Sequence, residues 1–231
     1  MREPLVLLPG LLCDHRLYAP QLPALATVAE PVVMDLTRED SIAAMATGVL
    51  AAAPPRFALA ALSMGGYVAF EILRRAPERV SRLALLDTQA RPDTETAALR
   101  RRGLMQLAEK GEFRGVTPRL LAVLVHPDRL VDTSLTGTVQ AMAESVGKAA
   151  FLRQQTAILG RVDSRPGLAA IACPTLVLAG REDAVTPLEA QLEMAQAIPG
   201  ATLVLLPACG HLAPLERPRA VTAQLLNWLA G

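Results

Sequence analysis

Unbroken apolar runs alternate along the chain with stretches whose apolar residues recur every three to four positions. The runs fall at residues 5–8, 31–34, 57–62, 82–86, 175–179 and 202–206. Strands that read as continuous apolar runs are those covered by helices on both faces, which is how a parallel sheet is buried. The intervening segments carry helix signals. Ser41 stands as an N-cap before Ile42, Met45, Ala46, Val49 and Leu50, which share one helical face. Thr186-Pro187-Leu188-Glu189 has the spacing of a capping box with a first-turn proline. A helix is expected over 67–75, and the chain closes on one whose Val221, Leu225, Trp228 and Leu229 lie together. The pattern predicts an α/β protein with a doubly wound, mostly parallel sheet of about six strands.

One region departs from the alternation. Residues 91–170 contain no strand signal, only helical segments punctuated by Gly103, Gly111, Pro118, Gly137, Gly147, Gly160 and Pro166, with Thr117-Pro118 as a further N-cap and first-turn pair. Eighty residues are far more than a strand-to-helix loop needs. The expected division is a core built from 1–90 and 171–231 and a helical cap over 91–170.

Composition narrows the class. In 231 residues, 52% are apolar and 19% charged, with a net charge of +1, so disorder and fibrous folds are excluded. A near-neutral balance and seven aromatic residues supply neither the basic footprint nor the stacking platforms of a nucleic-acid binder. Charge is divided unevenly: 91–170 carries +4 and the remainder −3. The densest basic run, Arg100-Arg101-Arg102, reads as a solvated helix face. Cys13, Cys173 and Cys209 are scattered, as reduced thiols in a cytoplasm would be. The first apolar run is broken by Pro9 and Gly10 and preceded by Glu3, which suits a buried strand and neither a membrane span nor a signal peptide. A cytoplasmic protein that does not engage membranes is expected.

The chemistry centres on Ala61-Leu62-Ser63-Met64-Gly65-Gly66, where an apolar strand meets a helix. A turn that sharp needs small residues two before and two after its apex, here Ala61 and Gly65, and aims helix N–H groups at developing negative charge. The segment resembles the nucleophile elbow of the α/β-hydrolase fold, with Ala61 in place of the first glycine. A serine nucleophile needs a base, and the chain offers His15, His126 and His211. The resemblance implies His211, since Gly210-His211-Leu212-Ala213-Pro214-Leu215-Glu216-Arg217-Pro218 matches the family's last-in-chain histidine context. His126 would then belong to the cap, and His15 could line the pocket.

For the acid, Gly180-Arg181-Glu182-Asp183 matches the family's turn after the penultimate strand and completes the order Ser, Asp, His. Asp87, ending the run 82–86, is the competitor, since some relatives place the acid there; Glu182 ranks behind both. By the same resemblance the oxyanion hole comes from the backbone N–H groups of Met64 and Leu11, the latter in Leu8-Pro9-Gly10-Leu11-Leu12, where relatives often have histidine at the position of Pro9. The similarity runs from Leu5 to Trp228 and is to compact, cap-bearing hydrolases that include carrier-protein methyl ester esterases and carbon–carbon bond hydrolases. It implies a sheet without the customary first hairpin. The loop 35–41 lacks the glycines common in the family. No cofactor or metal is called for: there is no H-x-x-x-H pair, P-loop or dinucleotide fingerprint.

The resulting expectation is a serine hydrolase acting on a small or moderately apolar carboxylic ester through Ser63, His211 and Asp183. Thioester cleavage, carbon–carbon hydrolysis and acyl transfer use the same residues, and a non-catalytic binding module is the reading from another class. The expected partner is a small-molecule acyl substrate, with an acidic carrier protein as the macromolecular candidate.

Overall fold

A computed structural model describes residues 2–231. Six strands, β1 (Glu3–Leu8), β2 (Ala29–Val33), β3 (Phe57–Leu62), β4 (Val80–Leu86), β5 (Thr175–Gly180) and β6 (Thr202–Leu206), form one parallel sheet in the order β2-β1-β3-β4-β5-β6. The strands lie where the apolar runs put them, give or take two residues. β2 begins at Ala29 and carries Pro31 inside it, which a sheet edge tolerates because proline has no N–H to give a neighbour.

Alternate side chains of each strand enter different cores. Leu5, Leu7, Ala58, Ala60, Leu62, Ala84, Leu86, Leu176 and Leu178 face one cluster, while Val6, Leu8, Leu59, Ala61, Leu83, Leu85 and Val177 face the other. On the first face lie α1 (Leu22–Leu25), α8 (Ala213–Glu216) and α9 (Pro218–Ala230), with Val221, Leu225 and Trp228 buried as their spacing predicts. On the second lie α2 (Ile42–Ala52), α3 (Met64–Arg75) and α7 (Leu188–Ala197). Ser41 caps α2 by accepting the N–H of Ala44 at 3.2 Å. The α3 helix begins at Met64, three residues ahead of expectation, directly after Ser63.

Between β4 and β5 the described residues form helices and turns: α4 (Glu95–Leu107), a wide turn at Ala108–Glu112, α5 (Pro118–Leu124) and α6 (Thr133–Leu159). Thr117 caps α5 as predicted. The α6 helix is broken at Gly147, whose φ of 74° and ψ of 174° suit only glycine. Its early residues Leu135, Val139 and Met142 join the first core cluster, and Ala157 and Ile158 near its end join the second, so α6 crosses from one side of the sheet to the other. The basic run on α4 is only partly solvated. Arg101 is bound to Asp93 at 2.9 Å, and Asp93 also holds the buried Arg161 at 2.8 Å, tying the start of α4 to the end of α6.

The chain reverses direction across the sheet between β1 and β3, since β2 lies outside β1 and β4 beyond β3. Such a switch point opens a crevice at the carboxyl ends of the strands. The turn 9–13 follows β1 there, and Ser63 follows β3.

Candidate active site

Ser63 sits at φ 52° and ψ −113°, outside the regions an ordinary side chain prefers. A conformation of that kind costs of order 1–3 kcal/mol and persists where the surroundings over-determine it. They do so here. The Ser63 N–H donates to Leu86 O at 3.0 Å, and Ser63 O accepts from Gly66 N at 2.9 Å and from the Thr88 hydroxyl at 2.7 Å. The glycines after it allow the close approach: a Cβ on Gly65 would lie 2.5 Å from Leu8 O, and one on Gly66 would lie 2.2 Å from Thr88 Oγ1.

The side chains of Ser63, His211 and Asp183 meet in a line. His211 Nε2 lies 2.9 Å from Ser63 Oγ, and His211 Nδ1 lies 2.8 Å from Asp183 Oδ2. All three are buried, with Ser63 9% and His211 3% exposed. Burial pushes the Asp183 carboxyl up, but the neighbouring His211, with hydrogen bonds from His211 and Thr186, outweighs it and holds the group below the usual carboxylate value. Asp183 Oδ1 accepts from Val185 N at 2.7 Å and Thr186 N at 3.1 Å, and the Thr186 hydroxyl donates to Oδ2.

That last contact corrects the reading of Thr186 as a helix cap. The α7 helix starts at Leu188 with Pro187 at its cap position and no side-chain cap bond, because the Thr186 hydroxyl is committed to the acid. Gln191 on α7 then donates to Thr186 O at 3.1 Å and Thr88 O at 2.8 Å, joining the turn that carries Asp183 to the loop behind Ser63.

Asp87 is not on the histidine. Fully buried, it accepts from Gly180 N at 2.8 Å and Ala213 N at 3.2 Å, bracing the loops that carry Asp183 and His211. Burial and the nearby Asp183 charge push its carboxyl well above the usual value. Glu182 accepts from Cys209 N at 3.1 Å. Glu216 is fully buried and accepts from Gly210 N and Leu212 N, each at 3.1 Å, and from His126 N at 2.8 Å. His126 thus meets the His211 loop through its backbone, and His211 N donates to Leu124 O at 2.9 Å. His15 points its ring to solvent, 71% exposed. The Cys13 thiol is pushed up to about 12 by burial and the charge of Asp14, so it stays protonated at neutral pH.

Met64 and Leu11, the two expected backbone donors, belong to the segments next to Ser63. Met64 is the first residue of α3, where an N–H has no partner within the helix. Leu11 lies in a turn closed by Cys13 N donating to Gly10 O at 3.2 Å, and a Cβ on Gly10 would stand 3.3 Å from Ser63 Cβ. The Tyr18 hydroxyl donates to Leu8 O at 3.1 Å, supplying the loop with a polar brace beside Pro9. Among the described residues no group of three or more His, Cys, Asp or Glu is arranged to hold a metal, and no helix is long and apolar enough to cross a membrane.

Known proteins resemble this chain. A family model described as the alpha/beta hydrolase family matches residues 4–225. A 2-hydroxymuconate semialdehyde hydrolase from Pseudomonas putida is 30% identical over 73% of this chain and 60% of its own length. A pimeloyl-[acyl-carrier protein] methyl ester esterase from Nitrosomonas europaea is 29% identical over 78% of this chain and 73% of its own. A solved esterase from Thermogutta terrifontis superposes with a TM-score of 0.87 at 28% identity, covering 99% of this chain and 89% of that one.

Proposed function

The chain belongs to the alpha/beta hydrolase family, and from that premise we propose that it cleaves a small or moderately apolar carboxylic ester through an acyl-enzyme. The observation that carries this reading is the Ser63–His211–Asp183 line, with contacts of 2.9 and 2.8 Å. Ser63 Oγ attacks the ester carbonyl carbon while His211 Nε2 takes its proton. The carbonyl oxygen becomes an alkoxide held by the N–H groups of Leu11 and Met64. Collapse breaks the bond to the alcohol oxygen, which leaves with the proton from Nε2. A water then repeats the sequence on the acyl-enzyme and releases the acid. Asp183, ionised and fixed by Thr186 and Val185, keeps the imidazole tautomer with Nδ1–H towards the carboxylate and Nε2 free to accept.

The helices over 91–170 act as a lid in this reading. Their residues Leu121, Val125, Met142 and Phe151 belong to the same apolar cluster as Leu12, which favours an acyl chain of low polarity. With Ser63 9% exposed, a shift of these helices would widen the way in for an ester. A carrier-bound acyl group fits the same scheme. The +4 balance of 91–170 and the exposed Arg100 and Arg102 suit an acidic carrier, and one relative is named for such a substrate. Carrier-bound ester turnover would then be strongly salt-sensitive and free ester turnover would not.

The test is hydrolysis of a short-chain p-nitrophenyl ester by wild type and Ser63→Ala, with fluorophosphonate labelling alongside. Wild type should turn over and label, and Ser63→Ala should do neither. No turnover on esters, thioesters or diketones by the wild type would point to a binding module instead.

A further inference from the structure

Gln154 is fully buried on the second half of α6, 142 residues along the chain from the turn it touches. Its Oε1 accepts the Leu12 N–H at 3.1 Å, and its Nε2 donates to Leu36 O, in the loop after β2, at 3.1 Å. The adjacent Arg153 donates to Thr37 O at 2.9 Å, so one turn of α6 is anchored to both loops. Leu12 itself has a φ of 59°, where a turn ordinarily uses glycine.

These contacts bear on the two peptide groups that flank Leu11. The Gly10–Leu11 peptide has its carbonyl oxygen tied by Cys13 N at 3.2 Å. In a trans peptide the Leu11 N–H points the opposite way from that oxygen. The Leu11–Leu12 peptide has its N–H tied by Gln154. With both planes held, the direction of the Leu11 N–H is set.

We propose that Gln154 is a positioning residue for the oxyanion loop, so that the inserted helices complete the catalytic geometry as well as covering it. The proposal rests on the reading of Ser63 as nucleophile and Leu11 as an oxyanion donor. Gln154 touches no reacting atom. Its loss frees Leu12 to leave its left-handed conformation, which slackens the turn that Cys13 N closes on Gly10 O, and the Leu11 N–H turns away from the position the alkoxide occupies. Donors aimed at that position stabilise the transition state more than the bound ester, so the damage falls on kcat.

The experiment compares wild type with Gln154→Met, which keeps the length of the side chain without its carboxamide. The probes are a short-chain p-nitrophenyl ester and an alkyl boronic acid, whose tetrahedral adduct on Ser63 mimics the transition state. The expected result is a ~10–100-fold fall in kcat, the scale of a small misplacement in an active site, with KM within ~3-fold of wild type. The boronic acid Ki should rise by the factor that kcat/KM falls, which damage to packing alone would not produce. Gln154→Leu, apolar and shorter, repeats the measurement if the Met variant does not fold. A folded variant with kcat within ~3-fold of wild type, or with KM alone raised, overturns the proposal. Ser63→Ala run in parallel separates the two claims. Ester turnover surviving in Ser63→Ala sinks the nucleophile assignment and this inference with it, whereas a dead Ser63→Ala beside a fully active Gln154→Met sinks this inference alone.

Discussion

The helices α3 and α4 are nearly the same length, 12 and 13 residues, and each follows a strand that ends in a site loop, yet they are held in opposite ways. Nine residues of α3 are buried, from Met64 to Ile72, and its first turn is pinned by Leu8 and Thr88. The α4 helix buries no residue fully, and its Leu99, Leu104 and Leu107 are 59%, 45% and 46% exposed. What holds α4 is polar: the Thr94 cap and the Asp93–Arg101 pair. In the reading proposed above, the difference separates two jobs. An element that carries a nucleophile must be fixed by dense packing, because misplacement costs rate. An element covering the entrance is better held by contacts that can be remade in water, as expected of segments that open.

The sharpest way to break this comparison is at the head of α3. Ser63→Ala should lose about 10⁶-fold in kcat, the scale seen when the nucleophile of a serine protease is removed, with the fold intact by circular dichroism. More than about a hundredth of wild-type activity left would take the serine out of its role. Next comes the acid. Asp183→Asn should lose about 10³–10⁴-fold because His211 would be held in the wrong tautomer. Asp87→Asn should lose about tenfold or less, since Asp87 braces loops and does not touch His211. The opposite ranking would move the acid to the end of β4.

Packing gives the next contrast, read by urea unfolding. Ile72→Ala, deep in the cluster under α3, should cost about 2–5 kcal/mol. Leu104→Ala on α4 should stay within about 0.5 kcal/mol, as exposed positions usually do. Equal costs would show that α4 is packed in solution as tightly as α3.

The same contrast explains what could be read from the sequence. The elbow was legible because the demand for small side chains falls on adjacent positions: Leu8 and Thr88 leave no room for a Cβ at Gly65 or Gly66, and any sequence making this turn must show small residues there. The middle of the sheet was legible because β3 and β5 are buried along their whole length and so read as apolar runs, while the edge strands β2 and β6 are only partly covered. Thr186 misled because two geometries, a capping box and an Asp-turn-Thr bond, share one spacing, and which one forms depends on where Asp183 is needed. Gln154 left no local mark at all. A buried glutamine in a helix looks like any surface glutamine until the fold brings Leu12 and Leu36 to it. Asp87 and Glu216 are similar: their partners are backbone N–H groups, which have no signature in the sequence.

The last contrast concerns the two buried carboxylates, which titrate in opposite senses. Asp183 is held below the usual value, so its contribution to stability is present above the ordinary carboxylate range and is lost as pH falls through its lowered value. Asp87 is pushed well above the usual value by burial and by Asp183. In the window between the ordinary and the raised value, the folded protein binds more protons at this site than the unfolded chain does. Stability from Asp87 is therefore full in acid and declines as pH rises towards its folded value, by up to about 1.4 kcal/mol per pH unit. Asparagine at 87 cannot ionise and loses that slope, although its amide leaves one of the two N–H donors without an acceptor. The stability of wild type minus that of Asp87→Asn, from urea unfolding at pH 5 and pH 8, should be larger at pH 5. A difference that is flat, or that grows with pH, would mean that Asp87 is ionised in the folded protein and that its pair of backbone donors outweighs its burial.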